Sequence, residues 1–156
     1  MRILGIDPGT VITGFGVIEK KENKLRVIDY GIIKPKVRLS LVQRLKYIYE
    51  EINQIIKKNN LNILVIEDIF FHKNFRSAAK IGEARSVAIL AAANQNLEVI
   101  EYLPTEIKQS VTGNGRASKV QVQNMVKRIL GLSEIPFSDA ADALAAAICH
   151  CHKIKF

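Results

Sequence analysis

The sequence predicts an α/β fold: a mixed five-stranded sheet, three antiparallel strands followed by parallel ones, flanked by helices. Three observations predict it. Short apolar runs bounded by turn residues open the chain, the apolar spacing turns helical near residue 41, and apolar strand runs then alternate with helical stretches.

Each element has its own signal. Ile3 to Asp7 is apolar and ends at Pro8-Gly9-Thr10, so it reads as a buried strand entering a turn. Gly14 to Glu19 and Leu25 to Ile33 are β-rich and separated by Lys20-Lys21-Glu22-Asn23-Lys24, which predicts a hairpin and an antiparallel meander. Leu41, Leu45, Ile48, Ile52, Ile55 and Ile56 then recur at helical spacing with charged residues between them. Leu61 to Ile66 is a nearly unbroken apolar run, the pattern of a strand covered on both faces. A long helix rich in alanine is expected from Phe75 to Asn96, and Leu97 to Tyr102 reads as the last strand.

The remaining third is helical. Pro104 suits a helix first turn and Gly113 a stop; Ser118 and Gln121 have capping-box spacing; Gly131 ends that helix, and Ser138-Asp139 opens the last one. The order is βββ-α-β-α-β-α-α, an RNase H-like arrangement. With no repeat, low-complexity tract or long linker, residues 1–156 read as one domain.

Composition narrows the function classes. Hydrophobic residues make up 48% and charged residues 24%, ordinary values for a globular chain. Lys and Arg number 23 against 15 Asp and Glu, a net charge of +8, which points to a polyanionic partner. The N-terminus lacks the pattern of a signal peptide, and the longest apolar stretch, Val87 to Ala93, is far below the ~20 residues of a membrane span. Cys149 and Cys151 form no disulfide framework, so a reducing, cytosolic setting is expected. With His150 they lack zinc spacing and read as the end of the last helix.

Four acids occupy costly places. Asp7 ends the first strand and Glu67 the apolar strand, while Asp139 and Asp142 lie three apart on one face of an otherwise apolar helix. A half-buried carboxylate needs a cation. Asp139 alone is more often a first-turn cap or dipole partner, and Glu67 alone more often solvated; the coincidence of four favours a divalent ion. Hard magnesium takes oxygen ligands and retains waters. Two ions about 4 Å apart can serve an in-line phosphoryl displacement. Asp7, on the most fixed strand end, is the expected bridging ligand. Asp68 should point to the opposite face from Glu67.

Residues 4–10 (Leu-Gly-Ile-Asp-Pro-Gly-Thr) with Thr13-Gly14-Phe15-Gly16 resemble the opening of the RuvC Holliday junction resolvases. So do Ile66-Glu67, Phe70, Lys73-Asn74 and Gly82-Glu83-Ala84-Arg85, the run from Lys108 to Val122, and Asp139 to Ala145. The resemblance runs almost end to end. It implies a homodimeric magnesium-dependent endodeoxyribonuclease, with manganese able to substitute, that nicks two strands of a four-way junction in recombination and repair. It also implies a bacterial, cytoplasmic, nucleoid-associated protein working with the RuvA–RuvB branch-migration complex. Asp7, Glu67, Asp139 and Asp142 match the family's acidic tetrad, Lys108 and Lys119 its active-site lysines, and Phe70 the aromatic residue that reaches into the junction.

Some of this has an independent physical reading. Lys119 opens a capped helix, where a cation opposes the dipole, so either a nearby phosphate or plain solvation explains it. Arg76, Arg85 and Arg116 are expected to extend a phosphate track. Of adjacent Phe70 and Phe71, one should enter the core and one face the DNA, where stacking on an unpaired base is worth about 1–3 kcal/mol. Symmetric nicks need two sites on a two-fold axis, and the small-residue helix from Phe75 is the expected interface. Three other readings stay open: an actin-like phosphate-binding kinase or ATPase, a non-catalytic nucleic-acid-binding module, and a related nuclease with another substrate.

Overall fold

The structure is a computed structural model and describes residues 1–69 and 75–154. Strands β1 (Arg2–Asp7), β2 (Thr13–Lys21) and β3 (Lys24–Ile33) form the expected antiparallel meander. Helix α1 (Leu41–Asn59) crosses to β4 (Ile63–Glu67), which pairs parallel to β1, and α2 (Phe75–Asn94) crosses to β5 (Glu98–Tyr102), parallel to β4. The sheet order is β3-β2-β1-β4-β5, so the first strand is central. Three helices then close the described chain, α3 (Pro104–Thr112), α4 (Lys119–Leu130) and α5 (Ser138–Lys153), one more than the order expected from the sequence. The extra element follows from two independent stops. Gly113 and Gly131 both adopt left-handed backbone, at φ 75° and 62°, and break the region into separate helices.

The pleat of the sheet sorts its side chains into two cores. Ile3, Ile63 and Val65 pack with Val111, Val126, Leu144 and Ile148 beneath α3, α4 and α5. Leu4, Ile6, Leu64 and Ile66 pack on the other face with Ile48, Ile52, Ala88 and Ala91 of α1 and α2. Each large aliphatic side chain buried this way contributes about 1.5–3 kcal/mol. The alternation decides where the strand-end acids go. Asp7 is in phase with Ile3 and Glu67 with Val65, so both face α3 to α5, whereas Asp68 continues the phase of Leu64 and Ile66 toward α2.

Helix α5 lies directly on β1 and β2. A β-carbon at Gly5 would strike the Ala143 carbonyl, and one at Gly14 the Asp139 carbonyl. Six buried alanines, Ala140, Ala141, Ala143, Ala145, Ala146 and Ala147, complete this close approach. At the far end, the Lys20 ammonium donates to the carbonyls of Cys151 and Ile154, a cation where the helix dipole favours one. Cys149, His150 and Cys151 lie buried within the last turns of α5, and both cysteines are free thiols. Ser40 and Ser118 each form a capping box, with Gln43 and Gln121 respectively.

Candidate active site

The C-terminal ends of β1 and β4 and the first turns of α5 meet at one end of the sheet. Asp7 and Glu67 are the last residues of their strands, and Asp139 and Asp142 sit in the first turns of the overlying helix. Gly14 fixes the join, since its lack of a side chain lets the Asp139 backbone rest on β2. All four acids are half-buried.

Electrostatics show that they converge. Burial and then the charges of Asp142, Asp139 and Glu67 push the Asp7 carboxyl up from 3.8 to about 8, only partly opposed by Lys119. Burial and the Asp142 charge also raise Glu67, while Lys108 and Lys119 lower it. Asp142 is raised mainly by burial and then by Asp139, with Lys119 and Lys108 opposing. The Lys119 Nζ stands 3.8 Å from Asp142 Oδ2, an ion pair too long for a hydrogen bond. Four acids and two lysines from five elements therefore share one electrostatic site, with Asp7 at its centre.

A cluster of this kind is unfavourable alone. A carboxyl held near pH 8 keeps a proton that a cation can displace. Among the described residues no three acidic, histidine or cysteine side chains are gathered tightly enough to cage an ion by themselves. Magnesium does not require such a cage: it keeps waters and shares phosphate oxygens. The donor set, all hard oxygen, fits a divalent ion held jointly with a phosphate, and it does not fit a closed structural site.

The other expected residues divide into three groups. Lys108 is half-buried on α3, and Lys119 is 76% exposed at the start of α4, both toward the acids. Arg76 and Arg116 are exposed, as phosphate contacts would be. Phe70, Phe71, His72, Lys73 and Asn74 lie outside the described residues. Arg85 departs from expectation. Its guanidinium lies 2.7 Å from Glu101 and 3.8 Å from Asp68, on the other face of the sheet, and so is not part of a phosphate track. Sequence reasoning missed this group because Glu101 carries no motif and lies on an element distant in sequence from both Arg85 and Asp68.

Known proteins resemble this chain over nearly its whole length. The model of the family described as "Crossover junction endodeoxyribonuclease RuvC" matches residues 3–150. The curated relative of that name from Caldicellulosiruptor saccharolyticus is 51% identical over 152 residues, 96% of this chain and 92% of its own length. That from Alkaliphilus oremlandii is 48% identical over 157 residues, 100% of this chain and 96% of its own. Among solved structures, Thermus thermophilus RuvC in complex with Holliday junction substrate superposes with a TM-score of 0.91 at 32% identity, covering 97% of this chain and 93% of that one. The yeast mitochondrial Holliday junction resolvase Ydc2, at 13% identity and a TM-score of 0.69 over 96% of this chain and 77% of that one, shares the fold.

Proposed function

The chain belongs to the RuvC family of crossover junction endodeoxyribonucleases, and from that premise we propose that it resolves four-way DNA junctions by paired hydrolysis of phosphodiester bonds. Membership over residues 3–150 sets aside the kinase and binding-only readings. One observation carries the proposal: Asp7, Glu67, Asp139 and Asp142 repel one another at the end of the sheet, and lysines on α3 and α4 face them.

In this reading the four carboxylates hold magnesium, or manganese in its place, with two ions per site. When bound, the ions neutralise charge on the scissile phosphate and lower the pKa of the attacking water. Asp7 would be central to holding them, because it feels all three other acids and ends the central strand. Glu67 and Asp142 hold the flanks, and Asp139 adds charge from the first turn of α5. Lys119 and Lys108 lower the carboxyls of Glu67 and Asp142, keeping ligands ionised, and offer cations to the phosphate. Arg76 and Arg116 extend the contact along the backbone, and Phe70 stacks at the branch point.

Paired nicks call for two sites, so the working form is a homodimer of single nuclease domains spanning residues 1–156. The α2 helix supports this: it leaves Ile81 and Leu90 exposed after packing on α1. Cooperation with RuvA–RuvB in the bacterial cytoplasm completes the reading, which covers recombination and repair. No described helix is long and apolar enough to cross a membrane.

The test is cleavage of a mobile synthetic four-way junction in magnesium, against linear duplex and RNA–DNA hybrid. Selective, symmetric nicking of the junction is expected. Equal cutting of all three substrates, or wild-type cutting by Asp7→Asn, would overturn the assignment.

A further inference from the structure

Arg85 projects from α2 onto the face of the sheet opposite the carboxylate site. Its Nη2 lies 2.7 Å from Glu101 Oε2 and 3.8 Å from Asp68 Oδ1, and its side chain is only 17% exposed. A guanidinium held between two carboxylates in this way has a fixed geometry that an open surface pair lacks.

Its place along the strands gives the contact a consequence. Asp68 immediately follows Glu67. Pairing of β4 with β1 runs only to Ile66, opposite Ile6, while pairing with β5 continues to Glu67, opposite Tyr102. The backbone of Glu67 is therefore held by neighbours on one side alone. Three contacts fix the residue after it. The Asp68 N–H donates to the Tyr102 carbonyl at 2.9 Å, the Asp68 carboxylate accepts from the Ile69 N–H at 2.8 Å, and Arg85 holds that carboxylate from behind. The same guanidinium grips Glu101, which is the residue opposite Ile66 in β5. One cation thus ties α2 to the ends of both strands where the site begins.

We propose that Arg85 is a positioning residue for the ion site: through Asp68 and Glu101 it locks the ends of β4 and β5 and sets the Glu67 carboxylate in register with Asp7 and Asp142. The proposal rests on the reading of Glu67 as an ion ligand. Without Arg85, Asp68 and Glu101 face each other as uncompensated like charges on the strand ends. Glu67 is then free to shift on its one-sided backbone pairing. Groups that orient a ligand from behind typically tune metal affinity by about 10–100-fold. Arg85 acts through a neighbouring residue, so the lower figure is expected.

The test uses the full chain as wild type, Arg85→Met, Arg85→Lys, Glu101→Gln and Glu67→Gln. Manganese affinity is read by titration calorimetry without DNA, and junction affinity without divalent ions across a salt series. Arg85→Met should weaken manganese binding about tenfold, with junction affinity and its salt dependence unchanged. Arg85→Lys should recover part of the loss, and Glu101→Gln, which leaves the fold's charge pair with Asp68 in place, should show a smaller loss in the same direction. Unchanged manganese affinity in Arg85→Met and Glu101→Gln, with Glu67→Gln impaired, would overturn the positioning role alone. Weaker junction binding by Arg85→Met with a salt slope smaller by about one would make it a phosphate contact instead. Wild-type manganese affinity in Glu67→Gln would remove the ligand reading and this proposal with it.

Discussion

Stripped of divalent ions, the protein should lose stability as pH rises, and Asp7 should be a main cause. Its carboxyl moves from 3.8 to about 8 on folding, through burial first and then the Asp142, Asp139 and Glu67 charges. Between those values the unfolded chain has released a proton that the folded chain retains. Folding stability is thus fully present below pH 3.8 and is lost as pH rises toward 8, at up to about 1.4 kcal/mol per pH unit. From pH 6 to pH 8 the loss amounts to at most about 3 kcal/mol, or roughly 6–12 °C in Tm for a domain of this size. Glu67 and Asp142, also raised, act with the same sign. The assay is thermal unfolding by circular dichroism in chelator at pH 6, 7 and 8, for wild type and Asp7→Asn. The wild-type Tm should fall across the series and the variant's should fall much less, so that the variant is the more stable at pH 8. Added magnesium should flatten the wild-type curve. Parallel Tm curves for the two proteins would refute the reasoning, because the neutral side chain cannot titrate.

Three further outcomes follow from the same structure. Lys119→Met removes a cation that lowers Asp7, Glu67 and Asp142, so the rising limb of the pH–rate profile for junction cleavage should move to higher pH. Its rate at neutral pH should drop by about a hundredfold, as read in single-turnover assays. Gly14→Ala drives a methyl group into the Asp139 carbonyl and should cost about 3 kcal/mol in urea unfolding, with loss of metal binding as α5 lifts. Ser118→Ala removes the capping hydrogen bond to the Gln121 N–H and should cost about 1 kcal/mol by the same measurement, leaving junction affinity unchanged.

The readable and unreadable parts of the sequence differ for physical reasons. Strand and helix identity was legible because period-2 and period-3.6 apolar patterns are local, and Asp7, Glu67, Asp139 and Asp142 stood out as acids inside apolar runs. Which face Asp7 and Glu67 take follows from strand phase, and the two cores bear that out. Arg85 was not legible. Its partners lie 17 and 16 residues away, one just past the end of β4 and one in β5, and only the packing of α2 onto the sheet brings Asp68 and Glu101 to it. The motif that pointed to a family spans Arg85 without saying what the side chain touches. The third closing helix was legible residue by residue, in Pro104, the stop at Gly113 and the cap at Ser118, although the element order read from the sequence counts only two helices there.

The central claim is that the carboxylates of β1, β4 and α5 jointly hold ions against the scissile phosphate. A crystal of the protein with a four-way junction and manganese, read by anomalous scattering, tests it most directly. Anomalous density among Asp7, Glu67 and Asp142 beside a junction phosphate is the predicted result. Manganese bound elsewhere, with those three side chains turned from the DNA, would contradict it.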